Sequence, residues 1–255
     1  EQDTISAKLD ASNVSKDGRA VSAADLSGDD FFDNVDFIGA VEDENNDWAS
    51  GWTVGMPEKT ASLGCPVGTT EESTQVNNTP VCTLSGTYTS DLTLVRGNIY
   101  RLGGKVLIGE DAGQGGASAT LTVQSGVTII GDDSQDFLVV SRGSDILVNG
   151  TKMAPVTMTS ELDLTGNVDA NSRGLWGGLV INGFAPINDC PANVEGGTAQ
   201  CTKEGEAESR LFGGDQPTDS SGRLNYLIVK YAGNGVDSQN QLNGIAFQGV
   251  GSGTE

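Results

Sequence analysis

The sequence contains no histidine. Without imidazole there is no Ser-His-Asp triad, no Cys-His pair and no His-ligated zinc or haem. Basic side chains are also scarce. Fourteen Lys and Arg stand against 35 Asp and Glu, so the formal charge is 14 − 35 = −21. A surface this acidic repels nucleic-acid phosphates and anionic membrane faces. Aromatics are few: three Trp, four Tyr and seven Phe. No apolar run approaches the roughly 20 residues that span a bilayer as a helix, so no transmembrane segment is expected.

Glycine is abundant, at 36 of 255 residues, roughly twice the usual share. The acidity suits a soluble, extracellular, cation-rich setting. Four cysteines fall in two close pairs. Cys65 and Cys82 bracket "CPVGTTEESTQVNNTPVC", and Cys190 and Cys201 bracket "CPANVEGGTAQC". Four cysteines allow three pairings; the two local loop closures are the simplest. A four-thiolate zinc site is the rival, and it lacks any Cys-x-x-Cys spacing. Disulfides imply an oxidising compartment. The sequence starts at Glu1 rather than Met, and a removed signal peptide is expected. The expected location is extracellular or the outer-membrane surface.

Residues 1–28 are polar and read as an arm. Residues 29–83 carry Phe31, Phe32, Phe37, Trp48 and Trp52 along with the first cysteine loop. They read as an aromatic-rich cap, because large apolar groups need something to cover. From residue 84 to 255 short β-rich runs recur between Gly, Asp, Asn and Ser breaks. "LTLVRGNIYRL", "ATLTVQSGVTIIG", "FLVVSRGSDILVNG", "APVTMTS", "LWGGLVING" and "NGIAFQGVG" are examples. No stretch sustains a helical apolar period.

Three of these runs can be superimposed. Leu92–Gly97, Leu121–Gly126 and Leu138–Gly143 each read apolar-x-apolar-x-x-Gly, then a second short strand. Repeats of this kind mark a solenoid. A single coil of two or three short strands cannot bury its apolar side; stacked coils share one aliphatic core. Val, Ile and Leu suit such a core, large aromatics fit it poorly, and Gly and Asn supply its corners. The expected fold is all-β, a right-handed parallel β-helix, with the segment 184–222 as an excursion from one corner. An antiparallel sandwich or barrel is the competing architecture.

The phrases "DNVDFIGAV…DWASGWT", "DFLVVSRGSDILVNGT", "RGLWGGLVINGFAPIN" and "LNGIAFQGVGSGTE" resemble a family of secreted or surface-anchored β-helix proteins of Gram-negative bacteria. Many of its members are described as lipoproteins. The resemblance runs from about residue 31 to the end. It implies a fold and a location, and it carries over no catalytic residue. Family members continue past "GIAFQGVGSGT" with further coils. The resemblance therefore implies the N-terminal part of a longer member, or an end covered by another subunit.

Calcium is the cofactor that the acidic loops would take. Asp43, Asn45 and Asp47 place oxygen ligands at alternate positions, as in half of a calcium loop. Trp48 stands where an EF-hand needs Gly, so an EF-hand is excluded. Asp132, Asp133 and Asp136 form a second candidate, and Asp29, Asp30 and Asp33 a weaker third. For carbohydrate chemistry, Lys105, Arg142 and Lys152 are the basic groups near expected strands. Trp176 is either a core residue or an exposed sugar-stacking platform. "GLWGGLVING" lacks the strand-to-helix setting of a phosphate loop.

The residues point first to a non-enzymatic scaffold or adhesion module. Its partner is another copy of itself, as an oligomer or filament, or a cell-surface component. The alternative is a surface protein that binds or degrades polysaccharide.

Overall fold

In a computed structural model, residues 64–205, 210–233 and 242–255 are described. The arm 1–28 and the cap as far as residue 63, with Asp29, Asp30, Asp33, Asp43, Asn45 and Asp47, lie outside them.

The described residues open with an antiparallel hairpin, β1 (Thr70–Val76) and β2 (Thr79–Tyr88). Its turn is Asn77-Asn78, both left-handed with φ of 50° and 61°, as a two-residue hairpin turn requires. From β2 onward the pairing is parallel. The coils use β3 (Leu92–Leu94), β4 (Ile99–Ile108), β5 (Thr120–Val123), β6 (Thr128–Gly131), β7 (Phe137–Val140), β8 (Asp145–Asn149), β9 (Val156–Ser160) and β10 (Gly178–Asn182). A four-residue helix, α1 (Glu161–Leu164), follows β9. A small antiparallel pair, β11 (Lys203–Glu204) and β12 (Leu211–Phe212), sits in the excursion. Then come β13 (Gly222–Asn225), β14 (Leu227–Val229) and β15 (Ile245–Gln248).

These strands stack on three faces. On face one, Val81, Ile99, Thr128, Thr157 and Ile228 follow one another in register. On face two, Val106, Leu138, Leu179 and Ile245 do the same. On face three, Leu92, Leu121, Ile146 and Gly222 are stacked. Successive coils on face one are 128 − 99 = 29 and 157 − 128 = 29 residues apart, and then 228 − 157 = 71. The jump reflects long corners around α1 and the excursion between β10 and β13. This is the parallel β-helix expected from the sequence, in the right-handed sense that parallel crossovers take.

Alternation within each strand decides what is inside. Tyr100, Ile129 and Met158 of face one point inward, as do Val106, Leu138 and Leu179 of face two and Leu121, Ile146 and Val148 of face three. Aliphatic columns dominate, as expected. The expected exclusion of large aromatics is too strict, because Tyr100 and Trp176 are fully buried in the same core. Each reaches backbone with its polar atom: the Tyr100 hydroxyl donates to the Val95 carbonyl at 3.0 Å, and Trp176 Nε1 to that of Lys230 at 2.8 Å. A bulky ring enters a thin core when its donor is satisfied.

The third superimposed repeat lies on a different face. Leu92–Leu94 does stack on Leu121–Val123, but the strand next in that column is β8, while Leu138–Val140 stacks on Val106–Ile108 of face two. The shared glycine explains the confusion. Gly97, Gly126 and Gly143 have φ of 96°, 77° and 78°. The pattern marks a left-handed turn out of a strand, and two different corners use one.

Cys65–Cys82 and Cys190–Cys201 are disulfide-bonded, the pairing that gives the two local loops. Cys82 heads an inward column, and Cys65 packs against that core. The second bond closes a loop of the excursion. Closures of this length contribute roughly 2–3 kcal/mol each by restricting the unfolded chain.

Candidate functional site

Among the described residues, the outer surface of face one gathers the largest group of linked ion pairs. Arg101 lies between the inward residues Tyr100 and Leu102, so alternation turns it outward. It stacks in register between Thr83 and Ile130. Its Nε donates to Glu72 Oε1 at 2.8 Å, and one terminal nitrogen donates to Glu161 Oε2 at 2.5 Å. The other pairs with Asp132. One guanidinium thus joins the hairpin, the corner after β6 and the start of α1. The Glu161, Asp132 and Glu72 contacts hold its pKa above the usual arginine value, although burial works against this.

The Asp132 pKa is also raised. Burial raises its pKa, Arg101 opposes this, and the Glu161 and Asp136 carboxylates raise it further. Asp132 and Glu161 therefore share one arginine while repelling each other. Beside them, Asp163 accepts from the Thr159 hydroxyl at 2.9 Å and pairs with Lys230.

The structure brings Asp132, Asp133 and Asp136 into one corner, where each has protein partners. Asp136 accepts from the backbone N–H groups of Gly104 (2.8 Å), Asp132 (2.7 Å) and Asp133 (3.2 Å). Asp133 accepts from Gln135 N–H at 2.6 Å. The corner is a carboxylate-stapled turn. Among the described residues no group of three or more His, Cys, Asp or Glu is placed to hold a metal ion.

Trp176 takes the first of the two roles open to it. With 0 % exposure it has no free ring face for a sugar, and the core role is the one it fills. Arg142 is equally occupied. It is 4 % exposed and pairs with Asp111, donates to the Gly213 carbonyl at 2.7 Å, and lies 4.9 Å from the centre of the Phe184 ring. Lys105 and Lys152 are exposed.

Sequence reasoning missed Arg101, Glu72, Glu161 and Asp163. A signal existed for Arg101 alone: an arginine at an outward position inside an apolar strand. Its partners are 29, 31 and 60 residues away in sequence, and only the coil register assembles them.

A family model described as a pectate-lyase-like β-helix domain matches residues 86–255, two thirds of the chain. No curated protein and no solved structure matches.

Proposed function

The chain belongs to the pectate-lyase-like β-helix domain family, and on that premise we propose that it is an exported structural scaffold. It acts at the cell surface, as the surface-anchored lipoproteins of Gram-negative bacteria do. The observation that carries this reading is the Arg142 anchor. Arg142 binds Asp111 on its own corner and Gly213 and Phe184 of the excursion. A corner insertion of nearly forty residues is thereby fixed to a stiff rod, as a module displaying a loop to a partner requires. Two disulfides suit an oxidising compartment. No helix among the described residues is long and apolar enough to cross a membrane.

Self-association is part of the proposal. Strands β14 and β15 each pair on one side only among the described strands, whereas the far side of β13 is taken by Glu255, which donates to the Gly222 carbonyl and accepts from Leu224 N–H. Tyr226, Ile228 and Phe247 of this last coil are exposed, Phe247 by 55 %. Unpaired parallel edges with apolar residues accept further β-structure. Light scattering and negative-stain images of the native protein test this. Ordered multimers that dissociate in Phe247→Asp support it; monomers at all concentrations overturn it.

A specific observation favours a second reading, polysaccharide binding or cleavage. Asp132 and Glu161 flank one arginine on an accessible sheet surface, with the Asp132 pKa raised. Two carboxyls placed to flank one bond are the minimum for glycoside hydrolysis. Release of reducing sugar from acidic and neutral polysaccharides, abolished by Asp132→Asn and by Glu161→Gln, would establish it. No release and no retention on immobilised glycans would remove it.

A further inference from the structure

Helix α1 lies where a lid would lie. Outward-facing Val81, Ile99 and Ile130 on face one form an apolar strip with Val76 of the hairpin, and Leu164 of α1 packs on it. Ile130 is 0 % exposed although its side chain points away from the core. An outward strip of this kind is costly to leave bare.

The hydrogen bonds that shape α1 are internal. Ser160 caps it by accepting from Leu162 N–H at 3.3 Å. Thr165, Gly166 and Asn167 donate their N–H groups back to Glu161, Asp163 and Leu162. Gly166 closes the turn with φ of 73°. The contacts to the coils are of another kind. They are the Glu161–Arg101 pair, Asp163 with Thr159 and Lys230, the Leu164 side chain, and Asn77 Nδ2 donating to the Leu164 carbonyl at 2.8 Å. All are side-chain pins, and no ladder hydrogen bond joins α1 to its neighbours among the described residues. A unit that keeps its own hydrogen bonds while shedding a few pins opens locally, below the global unfolding free energy.

We propose that α1 is a lid over face one, opening as a unit about the end of β9. Opening lifts Glu161 from Arg101, leaves Asp132 in place and bares the strip Val81–Ile99–Ile130. Closing brings Glu161 and Asp132 together on Arg101. Lids elsewhere complete a constellation of charges by the same movement. The lid stands whichever functional reading holds, since it rests on how α1 is pinned and not on what binds beneath it.

Thiol labelling under native conditions tests the lid, with Ile130→Cys beneath it and Val123→Cys in the inner core as the reporter of global opening. Ile130→Cys is expected to react at least about tenfold faster than Val123→Cys. Adding Glu161→Gln and Asp163→Asn removes two partly exposed ion pairs and raises the Ile130→Cys rate roughly tenfold more, leaving Val123→Cys within about twofold. Equal rates at both cysteines, or equal acceleration of both, overturn the lid. Should Ile130→Cys fold poorly, Ile99→Cys reports on the same strip, and Asn77→Ala, which removes one pin at the surface, must accelerate it.

Discussion

Arg142 and Asp111 form a two-pronged ion pair inside the protein. Nε donates to Oδ1 at 2.9 Å and a terminal nitrogen to Oδ2 at 2.7 Å, with the side chains 4 % and 5 % exposed. Asp111 Oδ1 also accepts from Gly113 N–H at 3.0 Å, capping the short 3₁₀ turn Ala112–Gln114. Removing one partner leaves the other charge buried and unpaired, which costs about 3–5 kcal/mol. Arg142→Ala is therefore expected to lower the melting temperature sharply. It should also open the excursion to limited proteolysis between residues 184 and 221, while the coils resist. Cleavage unchanged from wild type would show that other contacts hold the excursion.

Local features of the fold were legible in the sequence. Strand positions follow from short apolar alternations, and both disulfides follow from loop proximity. Stacking order was not legible wherever two corners use the same turn. Leu138–Gly143 reads like Leu121–Gly126 because Gly126 and Gly143 adopt the same left-handed conformation, although their strands belong to different faces. The Arg101 cluster was hidden for a related reason. Its members meet through register across coils, and acidic residues are too common in this chain for any pair to stand out. Trp176 shows the opposite limit: its burial depends on an indole donor reaching the Lys230 carbonyl, a contact 54 residues away.

The two left-handed corner glycines should differ in their tolerance of a methyl group. At Gly126 an added Cβ meets only ordinary contacts, with Arg96 Nε at 3.5 Å. Gly126→Ala then costs the backbone penalty alone, about 1 kcal/mol. At Gly143 the same atom lies 2.6 Å from the Cβ of Ala112. Gly143→Ala adds a clash in the turn capped by Asp111 and is expected to cost at least about 1 kcal/mol more. Urea midpoints of the two variants make the comparison, and equal losses would remove steric contact at Gly143 as the difference.

Asp145 is expected to contribute more to stability in mild acid than at pH 7. Burial raises its pKa, and the carboxylates of Asp219 and Asp91 raise it further. The folded state therefore binds this proton more tightly than the unfolded chain does. Its contribution to stability grows as pH falls through the raised folded value and levels off below the unfolded value near 4. Asp145→Asn removes the repulsion at pH 7. The side chain is only partly buried, so the gain is small, about 1–2 °C in melting temperature. Melting curves from pH 4 to 7 should converge for wild type and variant at the acid end. A variant less stable than wild type at pH 7 would mean that the Asp145 carboxylate makes a favourable contact there.

A calcium titration would separate the two stronger of the three acidic loops that the sequence singled out. The Asp132–Asp136 corner is filled by backbone donors and Arg101, so a cation there would have to displace them. We propose calcium instead at Asp43, Asn45 and Asp47, which offer oxygen ligands at alternate positions. Excess calcium is expected to raise the melting temperature of the wild-type chain and of Asp136→Asn by the same increment, and EDTA to reverse it. The double variant Asp43→Asn, Asp47→Asn should show no increment. A shift that survives the double variant and disappears in Asp136→Asn would move the site to the stapled corner, and no shift in any chain would remove calcium altogether.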